Sequence, residues 1–188
     1  LYAAFQALCN PGDQVIIPLP CWVSFPEQVR LAGGEPVFVP TVDHQLDVEA
    51  IRSAVNERTR AILINSPNNP TGAVYPRRDL EQIARLSAEN DLYIVADEAY
   101  SFFVYDNLPY ASVYDLEAVR DRLIVTRSFS KHYAMTGFRV GYAVAPKETA
   151  AAMVRLHSHL TGNVCTFAQY GALAALDIDE QLLASGRT

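Results

Sequence analysis

Residues 60–97 read RAILINSPNNPTGAVYPRRDLEQIARLSAENDLYIVAD, and this stretch decides the fold. Arg60 to Asn65 is a short apolar run, expected to be a buried strand. Ser66 to Gly72 is rich in Pro, Asn and Gly and reads as a loop. Arg77 to Glu89 follows as a helix, with Leu80, Ile83, Ala84 and Leu86 repeating at helical spacing. Leu92 to Ala96 is apolar again and ends in Asp97-Glu98. A strand, a helix and a second strand in that order form a parallel unit under the right-handed crossover rule.

The same alternation extends in both directions. Upstream, Leu1 to Leu8 is expected to end a helix, stopped by Asn10-Pro11-Gly12. Val15-Ile16-Ile17 reads as a strand ending at Pro18. Ser24 is placed to cap a helix through Phe25, Val29 and Leu31, terminated by Gly33-Gly34. Pro36 to Val39 is the next strand, and Asp47 caps a helix with Val48, Ile51 and Val55 on one face. Downstream, Arg122 to Thr126 and Val140 to Ala145 read as strands. Lys147 to Leu160 and Phe167 to Leu176 read as helices. The expected fold class is α/β: a three-layer α-β-α arrangement around a mostly parallel sheet, in one domain spanning residues 1–188. Ligands of such sheets bind beyond the carboxyl ends of the strands. Asn69, Asp97 and Lys131 each fall at or just after a strand end, which puts three reactive residue types on one rim.

Bulk composition narrows the class of function. The chain has 188 residues, half of them hydrophobic and 19% charged, as in an ordinary globular protein. Its net charge of −6, with lysines and arginines scattered, argues against a nucleic-acid partner. No apolar stretch approaches the length of a membrane span. Cys9, Cys21 and Cys165 are odd in number and far apart, which fits a reducing compartment and a cytoplasmic protein. There is no signal-peptide pattern, and Leu1 reads as the cut edge of a longer chain. No metal-ligand spacing occurs. His157 and His159 are two apart and so point to different sides of a helix; they are expected to be partly exposed helix-end residues.

Chemistry concentrates in Ser128-Phe129-Ser130-Lys131, followed by Arg139. A lysine amine forms a Schiff base with an aldehyde. Hydroxyls and a guanidinium beside it suit a phosphate, which arginine binds through paired N–H groups. Taken singly, such a lysine more often sits on a solvated face. Its company changes the reading. Asp97 closes an apolar strand, where a poorly solvated carboxylate wants a cation; a protonated pyridine nitrogen is a fitting one, while the bland readings are a helix N-cap or a metal carboxylate. Tyr100 lies three residues on, and is otherwise a core tyrosine. Pro70 and Gly72 shape a turn that aims the Asn69 amide. Trp22, the single tryptophan, sits on a strand-end loop where it could cover a planar ring or simply pack in the core.

Asn69-Pro70-Thr71-Gly72, Asp97-Glu98-Ala99-Tyr100, Ser128-Phe129-Ser130-Lys131 and Thr136-Gly137-Phe138-Arg139-Val140-Gly141-Tyr142 together resemble class I/II aminotransferases, pyridoxal 5′-phosphate enzymes of fold type I. Pro20-Cys21-Trp22-Val23-Ser24-Phe25-Pro26 and Leu31-Ala32-Gly33-Gly34-Glu35-Pro36 resemble the bacterial aspartate-aminotransferase-like branch. The likeness runs from Leu1 to about Leu176. It implies that Lys131 is the Schiff-base lysine and general acid-base, and that Asp97 partners the pyridine nitrogen. It implies that Tyr100 and Asn69 bond the ring oxygen, that Trp22 stacks on the ring, and that Ser128, Arg139 and, more weakly, Ser130 hold the phosphate. The implied partners are an amino acid and a 2-oxo acid, with a homodimer for the intact protein and a place in amino-acid metabolism and biosynthesis. The family's glycine-rich phosphate loop and its carboxylate-binding arginine have no counterpart in these 188 residues. The chain is therefore expected to be most of a cofactor-binding large domain, inactive alone.

Other readings start from the same residues. A pyridoxal phosphate lyase also begins with loss of an α-proton, but needs no oxo acid. A non-catalytic regulatory domain that senses the cofactor would keep the fold. Ile94-Val95-Ala96-Asp97-Glu98 also resembles the apolar, acid-ended strand of a nucleotide-binding ATPase. The phosphate-cradling Gly-x-x-x-x-Gly-Lys-Ser/Thr partner of such a strand is absent.

Overall fold

A computed structural model describes residues 1–178. In chain order its elements are α1 (Tyr2–Leu8), β1 (Gln14–Leu19), α2 (Ser24–Leu31), β2 (Glu35–Pro40), α3 (Val48–Ala54), β3 (Thr59–Asn65), α4 (Arg77–Glu89) and β4 (Tyr93–Asp97). Two 3-10 turns, Val113–Asp115 and Glu117–Arg122, lead to β5 (Leu123–Ser128) and a short helix α5 (Phe129–His132). A 3-10 turn over Thr136–Phe138, β6 (Gly141–Val144), α6 (Lys147–Leu160) and α7 (Thr166–Ala175) complete the described residues.

The six strands lie in the order β2-β1-β3-β4-β5-β6. β1 to β5 run parallel, and β6 runs antiparallel to β5. The direction of β6 departs from a simple repetition of crossover units. Between β5 and β6 the chain stays at the carboxyl end of the sheet, in α5 and a 3-10 turn. It never crosses back over a face, so it re-enters the sheet from the end it left. The order of strands reverses between β1 and β3, and a crevice at such a switch point is where open α/β sheets take ligands.

Apolar side chains alternate between two buried faces, which explains why the strands read as unbroken apolar runs. Ile16, Ile62, Ile64, Ile94, Ala96, Leu123 and Val125 pack with Ile51 of α3 and with Leu80, Ile83 and Leu86 of α4. Val15, Ile17, Ala61, Leu63, Val95 and Ile124 face the other way, against Ala4, Phe5 and Leu8 of α1 and Phe25 and Val29 of α2. Each Val, Leu, Ile or Phe side chain taken fully out of water contributes roughly 1.5–3 kcal/mol. The sheet is therefore a rigid base for whatever its rim carries.

Local differences from the sequence reading have simple causes. β1 runs through Pro18 to Leu19, because β3 pairs only with Gln14 to Ile16 and the missing N–H costs no ladder bond there. Ser24 is the first residue of α2 and not its cap; Val23 holds that position without a side-chain bond. Asp47 does cap α3, its Oδ1 accepting from the Ala50 N–H at 2.9 Å. β5 extends to Ser128, so Ser128 ends a strand and Lys131 lies on α5 instead of in an open loop. His157 and His159 are exposed in the last turn of α6. Cys9 and Cys21 are half-buried free thiols, and Cys165 is exposed.

Candidate active site

The ends of β3 and β4 are level, because Asn65 pairs with Asp97 in register. The loop after β3 folds back through a turn in which Gly72 adopts φ +75, a conformation favouring glycine. The Asn68 side chain supports that turn, its Oδ1 accepting from the Thr71 hydroxyl at 2.9 Å and the Thr71 N–H at 3.3 Å. Asn69 is thereby aimed across the rim, and its Nδ2 donates to the Tyr100 hydroxyl at 3.3 Å. Lys131 Nζ lies 5.8 Å from the centre of the Tyr100 ring. Three residues far apart in the chain thus meet on one rim, carrying an amide, a phenol and an amine.

Asp97 is the last residue of β4 and is buried. The Ala99 N–H donates to its Oδ1 at 3.1 Å. Burial pushes its carboxyl above the ordinary aspartate range, and the Glu98 charge adds to that; the Ala99 bond opposes it. No side-chain cation among the described residues lies within ion-pair distance of it. A buried anion with so little compensation is a good receptor for a cationic group.

Glu98, one residue on, takes the opposite course. Its carboxylate accepts from Arg127 Nε at 2.9 Å and Nη2 at 2.7 Å on Oε2, and from Ser112 Oγ at 2.6 Å and the Val113 N–H at 3.1 Å on Oε1. Burial disfavours the Arg127 cation. The bonds and charge of Glu98 outweigh that, with help from Tyr142, and hold its pKa above the ordinary arginine value. Burial and the Glu98 charge also push the Tyr110 phenol up. This network lies between Asp97 and Ser128 in the chain and ties the residue after β4 to β5. Sequence reading missed it; the signal was an acidic residue directly after β4 and a basic one inside β5.

Ser128 caps α5, its Oγ accepting from the Ser130 N–H at 3.1 Å. Lys131 follows in the first turn of that helix. Arg139 has a left-handed backbone (φ 55), unusual for a residue with a side chain. That conformation turns its guanidinium back toward α5. Nη1 donates to the Thr136 carbonyl at 2.9 Å and approaches the buried Ser130 Oγ at 3.5 Å. Ser130 is thus the hydroxyl in reach of Arg139, while Ser128 is engaged as a helix cap. Trp22 is 37% exposed on the loop after β1, its ring edge-on to Phe25 at 5.3 Å. Among the described residues no hydrogen bond or ring contact joins it to Asn69, Asp97, Tyr100 or Lys131.

Known proteins share this sequence pattern and this fold. The family described as aminotransferase class I and II matches residues 1–187. A probable aspartate/prephenate aminotransferase of Aquifex aeolicus is 45% identical over 180 residues, 94% of this chain and 46% of the relative. An aspartate aminotransferase of Bacillus sp. (strain YM-2) is 44% identical over 179 residues, 93% of this chain and 46% of the relative. Among solved structures, the aspartate aminotransferase of Thermus thermophilus with maleate superimposes with a TM-score of 0.94 at 41% identity, over 99% of this chain and 50% of that one. An aromatic aminotransferase of Pyrococcus horikoshii gives 0.95 at 38% identity, over 99% and 51%. The chain spans about half the length of the curated relatives it matches.

Proposed function

The chain belongs to the class I and II aminotransferases, and from that premise we propose that the intact protein is a pyridoxal 5′-phosphate-dependent aminotransferase. It moves an amino group between an L-amino acid and a 2-oxo acid, in the manner of an aspartate aminotransferase. The observation that carries this reading is the meeting of Asn69, Tyr100 and Lys131 on one rim, with the buried Asp97 carboxylate, which has no side-chain cation beside it among the described residues, at the end of β4. That donor set fits a planar ring bearing a cationic nitrogen, an oxyanion, an aldehyde and a phosphate.

Asp97 would hold a proton on the ring nitrogen, because a cationic partner offsets the cost of burying the carboxylate charge. Asn69 and Tyr100 would direct an N–H and an O–H at the ring oxygen. Lys131 would hold the aldehyde carbon covalently and, once released, carry the proton removed from the substrate's α-carbon. Arg139, Ser130 and Ser128 would hold the phosphate, with charge-assisted bonds from the guanidinium. Trp22 would cover one face of the ring. When bound, the cofactor supplies an electron-accepting ring that stabilises negative charge at the α-carbon.

Residues 1–188 constitute most of the cofactor-binding large domain in this reading. The intact protein is a cytoplasmic homodimer of amino-acid biosynthesis; no helix among the described residues is long and apolar enough to cross a membrane. The test uses the full-length protein with cofactor and an amino acid, with and without a 2-oxo acid acceptor. Turnover that requires the acceptor, lost in Lys131→Ala, is the expected result. Borohydride reduction followed by peptide mapping should place the cofactor on Lys131. Turnover without any acceptor, or label on another lysine, refutes the reading.

A further inference from the structure

Asn65 is a buried amide at the end of β3, 5% exposed. Its Nδ2 donates to the Asp97 backbone carbonyl at 3.0 Å, and its Oδ1 accepts from the Asn69 N–H at 2.8 Å. The two partners fix which end of the amide is which, since a carbonyl only accepts and an N–H only donates. The Asn69 side chain then reaches Tyr100. A chain of hydrogen bonds therefore runs Asp97, Asn65, Asn69, Tyr100, and closes through Ala99, whose N–H bonds the Asp97 carboxylate.

We propose that Asn65 is a positioning residue that hangs the Asn69 loop on the rigid end of β4 and so sets where the Asn69 amide points. This rests on the cofactor reading above. The two ends of the link differ in stiffness. Asp97 lies in a strand paired with neighbours on both sides. Asn69 lies in a loop whose other bonds mostly close the turn on itself, as from the Gly72 N–H to the Asn68 carbonyl. The anchor is therefore β4 and the load is Asn69. Only a carboxamide of this length serves both partners. An aspartate has no donor for the Asp97 carbonyl and adds an anion beside a buried one. A glutamine is one methylene too long, and an apolar residue takes the partner from the buried Asp97 carbonyl and the partly buried Asn69 N–H.

The inference has a spectroscopic consequence apart from activity. A donor to the cofactor's ring oxygen favours the ionised oxygen, so losing it raises the pH at which the bound chromophore titrates. The experiment is an absorbance titration of the full-length protein loaded with pyridoxal phosphate. Parent, Asn65→Ala, Asn69→Ala and the double variant are compared. Asn69→Ala should raise the midpoint by roughly 0.5–1 pH unit, the size of one lost hydrogen bond. Asn65→Ala should raise it by a sizeable part of that, and should add nothing in the Asn69→Ala background. If Asn65→Ala does not fold, Asn65→Ser decides by the same criteria, since its hydroxyl reaches only one partner. No shift on changing Asn65, or an undiminished shift in the Asn69→Ala background, overturns the inference and leaves the cofactor reading intact. A parent protein that binds no cofactor overturns both.

Discussion

Replacing Arg127 by methionine removes the cation from a buried carboxylate while keeping much of the side chain's bulk. Glu98 is only 3% exposed, and Arg127 supplies both bonds to its Oε2. Ser112 and Val113 would continue to serve Oε1. Taking one partner from a buried ion pair costs about 3–5 kcal/mol, because the other charge is left uncompensated. Two features lower that figure here. Half of the carboxylate keeps its donors, and Arg127 is 37% exposed beside a cavity of about 200 Å³ from which water can reach Glu98. The expected loss is about 2–4 kcal/mol. Glu98→Gln should cost less, about 1–2 kcal/mol, because Arg127 can turn to water. In the double variant the two losses should not add; the shortfall, the coupling of the pair, should be about 2 kcal/mol. Equilibrium urea unfolding of the intact apoprotein, followed by circular dichroism, measures all four. Arg127→Met within about 0.5 kcal/mol of the parent would put the pair among weak surface bridges and refute the argument. Strict additivity would do the same.

Two further outcomes follow from the perturbed groups. Asp97 has its folded pKa raised, mainly by burial, so its contribution is present below the unfolded value of about 3.9 and is lost as pH rises through the folded value. Asp97→Asn should therefore leave the cofactor-free protein as stable as the parent at low pH and more stable at pH 7, while slowing turnover by more than the ~10²–10⁴ of ordinary acid-base groups. Thermal unfolding across that range and a rate assay check both halves, and a variant less stable at pH 7 than the parent contradicts the first. Burial pushes the Cys9 thiol up to about 11, so at pH 8 only about one in a thousand is thiolate. Iodoacetamide mapped by mass spectrometry should reach the exposed Cys165 well before Cys9, and early labelling of Cys9 would show that its site is open.

Local pattern was enough for most of the architecture. Unbroken apolar runs at β3, β4 and β5 announced strands buried on both faces, and the spacing in α4 located it to the residue, Arg77–Glu89. Strand ends then placed Asn69, Asp97 and Lys131 on one rim, because parallel strands all deliver their carboxyl ends to the same side. Residue chemistry suggested Ser128, Ser130 and Arg139 as a phosphate site, and the family resemblance gave Ser128 and Arg139 that role, with Ser130 the weaker candidate. What local pattern does not encode is who touches whom across strands. The direction of β6 depended on a connection that stays on the rim. The contact of Asn69 with Tyr100 spans 31 residues, that of Asn65 with Asp97 spans 32, and that of Glu98 with Arg127 spans 29. Each is set by strand register and by the path of a loop, which only the packed sheet decides. Asn65 and Glu98 looked like ordinary strand-end polar residues until burial left each of them needing the partner that the fold placed beside it, Arg127 in the case of Glu98.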